Sequence, residues 1–209
     1  AGQVYINGGT FICNGAAKGQ VGDKTFDMDA AQALYFDNSN PPYPGYTAET
    51  DGIFVKGGAF TDLANAVKYA VDGATITLAG DVALGDSGLK IGSVGSEQKV
   101  LTLDLNGHNI SATKCVITAQ NAKLTVTGAG KIYETSPYFG AIMVKGSNNA
   151  ENKDYTVVNV GAGVELEGWS PIFVDQYNGC AYGVAVNVDG AKLTGKKDSS
   201  GDNGSAIYV

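Results

Sequence analysis

Residues 101–110 read LTLDLNGHNI: apolar side chains at Leu101, Leu103 and Leu105, a glycine turn at Gly107, then Ile110 back on the apolar face. Alternation with period two belongs to a strand that buries one side. The same design returns as KLTVTGAGKI at 123–132, TVVNVGAGVEL at 156–166 and VAVNVDGAKL at 184–193. The aligned turn residues are Gly107, Gly130, Gly163 and Gly190, spaced 23, 33 and 27 residues apart. The apolar face resumes at Ile110, Ile132, Leu166 and Leu193, with a slip of one position at Ile132. ATITLAGDV at 74–82 alternates in the same way.

A second motif interleaves with the first: AIMV at 141–144, PIFV at 171–174 and AIYV at 206–209. Each follows a strand–glycine–strand unit after a loop of variable length. Constant strands and variable loops at a spacing of twenty to forty residues mark a solenoid, in which one turn holds two linked strands, a loop and a third strand. VYINGGTF at 4–11 and IFVKGGAF at 53–60 carry the second motif at the N-terminal side. Residues 16–50 between them form an irregular insertion that includes the turn-rich PPYPGY at 41–46. TDLANAVKYAVD at 61–72 has Leu63, Ala66, Val67, Ala70 and Val71 on one helical face, Thr61 or Asp62 to cap it and Gly73 to end it. One narrow apolar stripe predicts a helix that covers a sheet. The expected fold is all-β, a single domain over 1–209, with an insertion at 16–50, a short amphipathic helix at 61–72 and the main rungs at 73–209.

The words DGATITL at 72–78 and LDLNG at 103–107, preceded by the helix, resemble pectin-lyase-like right-handed parallel β-helices. The likeness covers roughly residues 51–209 and is nearest to noncatalytic segments of bacterial cell-surface proteins. It implies an extracellular solenoid and leaves activity open, because the fold carries enzymes, adhesins and stalks. Enzymes of that family use clustered Asp, calcium and often an Arg or Lys base.

Composition narrows the function. The 209 residues are 44% hydrophobic and 17% charged, with 30 Gly and a net charge of −7. All 14 basic residues are Lys. An acidic chain without Arg disfavours nucleic acid and lacks the bidentate fork for phosphate or carboxylate. The absence of a long apolar run argues against a membrane span. Cys13, Cys115 and Cys180 form no CxxC pair, so a zinc site is not expected; one disulfide plus a free thiol and three buried thiols are both compatible with the count.

No catalytic set, metal site or cofactor is expected. The family's Arg cannot be carried over, and no Asp–Asp pair occurs. His108 follows a turn glycine and is expected to face solvent; Asp104 is its nearest carboxylate in sequence. Glu165 and Glu167 share one strand face, whereas a glycosidase needs two carboxylates facing across a groove. DSSGDNG at 198–204 lacks the spacing of a calcium loop. Aromatic loops are the one recurring feature: Tyr133, Tyr138 and Phe139 follow one unit, Trp169 the next, then Tyr177 and Tyr182. Loops of successive rungs emerge side by side, so Tyr133, Tyr138, Trp169, Tyr177 and Tyr182 are the candidate ligand-binding residues. Aromatic faces there can stack on sugar rings, or the rings can pack over rung edges.

The functional expectation is a noncatalytic, extracellular or cell-surface β-solenoid serving as stalk, adhesin or glycan-binding scaffold. Its partners would be glycans or other surface components. End-to-end self-assembly and a polysaccharide lyase or hydrolase are the alternatives. The terminal AIYV lacks the Gly-Gly and Phe of VYINGGTF, which suggests a piece of a longer β-helix ahead of stacking subunits.

Overall fold

The computed structural model describes residues 17–21, 24–28, 34–37, 59–60, 63–70, 72–78, 80–136, 138–146, 155–175, 183–198 and 200–209. Strands from 74 onward run through three parallel ladders in strict rotation. The first face holds Ala74–Leu78, Lys99–Asp104, Ala122–Thr127, Thr156–Val160 and Val184–Val188. The second holds Val82–Ala83, Ile110–Ala112, Gly130–Glu134, Val164–Gly168 and Lys192–Gly195. The third holds Leu89–Ile91, Ile117–Gln120, Ile142–Lys145, Ile172–Val174 and Ile207–Tyr208. Consecutive strands always lie on different faces, so the chain climbs through five rungs of a parallel β-helix.

Register explains why the alternation works. Ile76, Leu103, Val126, Val160 and Val188 stand one above the other on the first face. Val82, Ile110, Ile132, Leu166 and Leu193 do so on the second. Leu89, Ile117, Ile142, Ile172 and Ile207 do so on the third. The three columns meet in one apolar core. Burying each such side chain contributes about 1.5–3 kcal/mol.

Several expectations change in detail. The one-position slip at Ile132 arises because Gly130 is a strand residue paired with Val164, one position beyond Gly163. A Cβ at Gly130 would stand 2.2 Å from the His108 carbonyl oxygen, which is why a strand position here is glycine. Third-face strands also exist in the first two rungs, Leu89–Ile91 and Ile117–Gln120, where no AIMV-like word announces them. The 16–50 segment, expected to be irregular, contains an antiparallel hairpin of Ala17–Val21 with Lys24–Met28. It also contains Leu34–Asp37, which pairs antiparallel with Ala74–Leu78 and with Ala59–Phe60.

The helix spans Leu63–Tyr69, shorter than the 61–72 expected, and Gly73 follows it at φ 78°. Its Leu63, Ala66 and Val67, followed by Ala70, are buried in the common core. It packs against Leu34–Asp37, Ala59–Phe60 and Leu89–Ile91. The helix and the antiparallel strand thus cover the first rung, satisfying backbone groups that an edge strand would leave open. Thr61, Asp62 and Val71 lie outside the described residues.

At the fifth rung nothing among the described residues covers the columns. Val188 is 38% and Ile207 42% exposed, and Val184, Val186 and Leu193 are only partly buried. Leu103, Leu105, Val126, Val158 and Val160 are buried as the pattern requires. Val186 and Val188 keep the inward register and remain accessible because, among the described residues, no strand pairs with the far side of theirs.

Candidate functional site

The aromatic side chains gather at the corner where the second face turns into the third. In the third rung that corner carries Tyr138 and Phe139; in the fourth it carries Trp169 and Ser170. The Ser170 N–H donates to the Phe139 carbonyl at 2.9 Å, and the Ser205 N–H donates to Ser170 Oγ at 3.3 Å. Three successive corners are therefore tied one above the other.

Glu134 lies beneath this corner. It is two residues beyond inward-facing Ile132, so the strand turns its side chain into the protein, where it is 2% exposed. Its carboxylate accepts the Trp169 N–H at 2.7 Å and the Phe139 N–H at 3.0 and 3.2 Å. The residue stacked above it is Gly168, where a Cβ would come within 3.1 Å of Glu134 Oε1. Burial pushes the Glu134 carboxyl up from its usual 4.5, against the opposing pull of both amides and the Lys196 charge.

Trp169 joins a row with two aromatic residues that the sequence pattern concealed inside strands, meeting Tyr208 directly and Phe173 through it. Its ring lies 5.8 Å from Tyr208 at 39°, and Tyr208 stacks on Phe173 at 5.1 Å and 2°. Phe173 and Tyr208 occupy one outward column of the third face. The alternation of IFV and IYV was the signal: Phe173 and Tyr208 fall between inward Ile and Val. Tyr138 is 54%, Phe139 41% and Tyr208 44% exposed, and Trp169 is half-buried, with its indole N–H buried and unpartnered among the described residues. Tyr133 stands apart: it points out from the second face, with Lys131 Nζ 5.3 Å from its ring centroid. Tyr177 and Tyr182 lie outside the described residues.

The cations around the corner are paired. Glu167 binds both Lys131 and Lys196. Lys145 lies 2.9 Å from Asp175, and Lys192 lies 3.1 Å from Glu165. Burial raises the Glu167 carboxyl, but hydrogen bonds and charge from the two lysines outweigh it and hold the group below 4.5.

The other sequence candidates stay dispersed. His108 Nδ1 is 3.7 Å from Asp81 Oδ1, a carboxylate one rung below and not the sequence-adjacent Asp104. Asp81 Oδ1 accepts the Asn109 N–H at 2.8 Å, and 3.7 Å is too long for a hydrogen bond to the imidazole. Glu165 and Glu167 alternate outward with Leu166 between them, whereas Glu134 points inward; the three do not face one another across a groove. In the 198–204 loop the Asp198 carboxylate accepts the Ser200 and Asp202 N–H groups at 2.8 and 2.9 Å, an ordinary turn. Cys115 has a free thiol, which burial pushes up to about 11; Cys13 and Cys180 lie outside the described residues. Among the described residues no cluster of three or more His, Cys, Asp or Glu could hold a metal ion, and no helix is long and apolar enough to cross a membrane.

No family model, curated protein or solved structure matches the chain.

Proposed function

We propose that this chain is a noncatalytic, extracellular β-solenoid scaffold that uses its aromatic corner to contact neutral glycans at a cell surface. The observation that carries this reading is the grouping of Trp169, Phe173 and Tyr208 beside exposed Tyr138 and Phe139. Aromatic faces attract the C–H faces of sugar rings without needing ligand charge. The paired lysines support a neutral ligand, because a uronate or sulfate would have to displace Glu167 or Asp175. The resemblance of residues 72–78 and 103–107 to pectin-lyase-like surface segments supports the extracellular setting.

Calorimetric titration with cellohexaose and mannohexaose tests the reading. Trp169→Ala is expected to weaken binding by roughly two- to tenfold, the range of one aromatic contact, with far-UV circular dichroism unchanged. Absence of binding by the wild-type chain to either hexaose would end it, as would release of shorter sugars that depends on a single carboxylate.

The open fifth rung favours a second reading, self-association. Among the described residues, Val188, Ile207 and Tyr208 leave apolar surface uncovered at that end. Strand edges and apolar surface together are a template for another chain.

A further inference from the structure

Glu134 does not behave as a surface carboxylate or as half of an acid–base pair. It is buried, accepts N–H groups from the corners of two successive rungs, and lies under Gly168, which leaves room for its oxygens. A buried carboxylate is tolerated only where hydrogen bonds satisfy it, so both of its oxygens commit it to this geometry. The two amides it holds belong to Phe139 and Trp169, the residues that carry the aromatic surface in the third and fourth rungs. Among the described residues the direct backbone bonds between these corners are Ser170 N–H to the Phe139 carbonyl and, where the third face begins, Ile142 N–H to the Pro171 carbonyl, both 2.9 Å. The carboxylate adds a side-chain tie, and it alone fixes the N–H groups of Phe139 and Trp169, immediately behind each ring.

We propose that Glu134 is the positioning residue of the glycan-contact corner, clamping the Phe139 and Trp169 backbones together so that Tyr138, Phe139 and Trp169 present one pre-formed surface. This rests on the glycan reading for its ligand but not for its geometry. A platform fixed before binding loses less freedom on association, so the clamp contributes to affinity without touching the sugar. Phe173 and Tyr208, mounted on strands, do not depend on it.

Trp169 is the only tryptophan in the chain, so its fluorescence reports this corner alone. Three proteins are compared: wild type, Glu134→Ala and Glu134→Gln. Acrylamide quenching of Trp169 is measured beside far-UV circular dichroism and hexaose titration. In Glu134→Ala the quenching constant is expected to rise roughly twofold and hexaose affinity to fall roughly five- to tenfold, with the far-UV spectrum retained. Glu134→Gln, which keeps one acceptor oxygen, is expected to recover most of both. Wild-type quenching in Glu134→Ala overturns the proposal. Should that variant not fold, Glu134→Asp decides: its shorter side chain cannot reach both amides, so raised quenching supports the clamp and wild-type quenching overturns it. If wild type binds neither hexaose, the glycan reading fails while quenching still decides the clamp. If Trp169→Ala weakens binding but Glu134→Ala alters neither readout, only the clamp fails.

Discussion

Glu134 and Glu167 lie on neighbouring rungs of one sheet, yet their environments push them in opposite directions. Glu134 faces inward and burial raises its carboxyl; Glu167 faces outward between two lysines and is lowered. Opposite shifts give opposite pH signatures. Proton uptake by Glu134 stabilises the fold fully below the unfolded value near 4.5, and that contribution is lost as pH rises through its elevated folded value. Glu167 stabilises above 4.5, and its contribution is lost as pH falls through its depressed folded value. In urea titrations above pH 4.5, Glu134→Gln should therefore show a flatter pH dependence than wild type. In acid below 4.5, Glu167→Gln should lack part of the wild-type loss. Indistinguishable profiles for wild type and Glu134→Gln would contradict the burial argument. KIYE at 131–134 contains the signal for Glu134, since period two puts it on the same side as Ile132. Its two amide partners were not legible: Phe139 is separated by a turn and Trp169 by a full rung.

At the scale of elements, each strand is stabilised by the rung above and the rung below. Ile132 and Leu193 occupy the same column, two rungs apart. Ile132 is enclosed from both sides, whereas among the described residues Leu193 has a column neighbour on one side only and is partly buried. Ile132→Ala should cost about 2–5 kcal/mol, the range for a buried cavity, and Leu193→Ala distinctly less. Equal costs in chemical denaturation would mean that a further layer covers the fifth rung in solution. The glycine spacing identified the paired strands but misplaced the third-rung turn, because glycine also serves where another backbone passes close, as at Gly130. Third-face strands of only three or four residues, such as LKI and ITAQ, are too short for alternation to reveal them.

Over the whole molecule the two ends differ. Leu34–Asp37 and the helix cover the first rung, while among the described residues nothing covers the edge or the apolar column of the fifth. A covered end cannot receive an open one on the first face, which disfavours the open head-to-tail filament that unlike surfaces would form. Two open ends can still meet through like surfaces, an arrangement that closes at two copies. Light scattering on the 209-residue chain should therefore show mass rising with concentration towards twice the monomer, then levelling. Ile207→Lys should hold it at one copy. Continued growth in mass would restore the filament, and a strict monomer at millimolar concentration would discard association through this edge.

Period-two alternation, turn glycines and the recurrence of both motifs were enough to determine an all-β parallel solenoid with one short helix. Those signals are local, repeated in every rung, and set by which side of a strand meets water. Which aromatics share a surface was decided only by the fold. Tyr133 and Trp169 both look like loop aromatics in sequence, but rung register sends Tyr133 out over Lys131 and brings Trp169 to Tyr208. The ties between corners likewise join residues a whole turn apart, across loops of unequal length. No fixed sequence spacing can encode such a contact, because only the stacking of rungs brings its partners together.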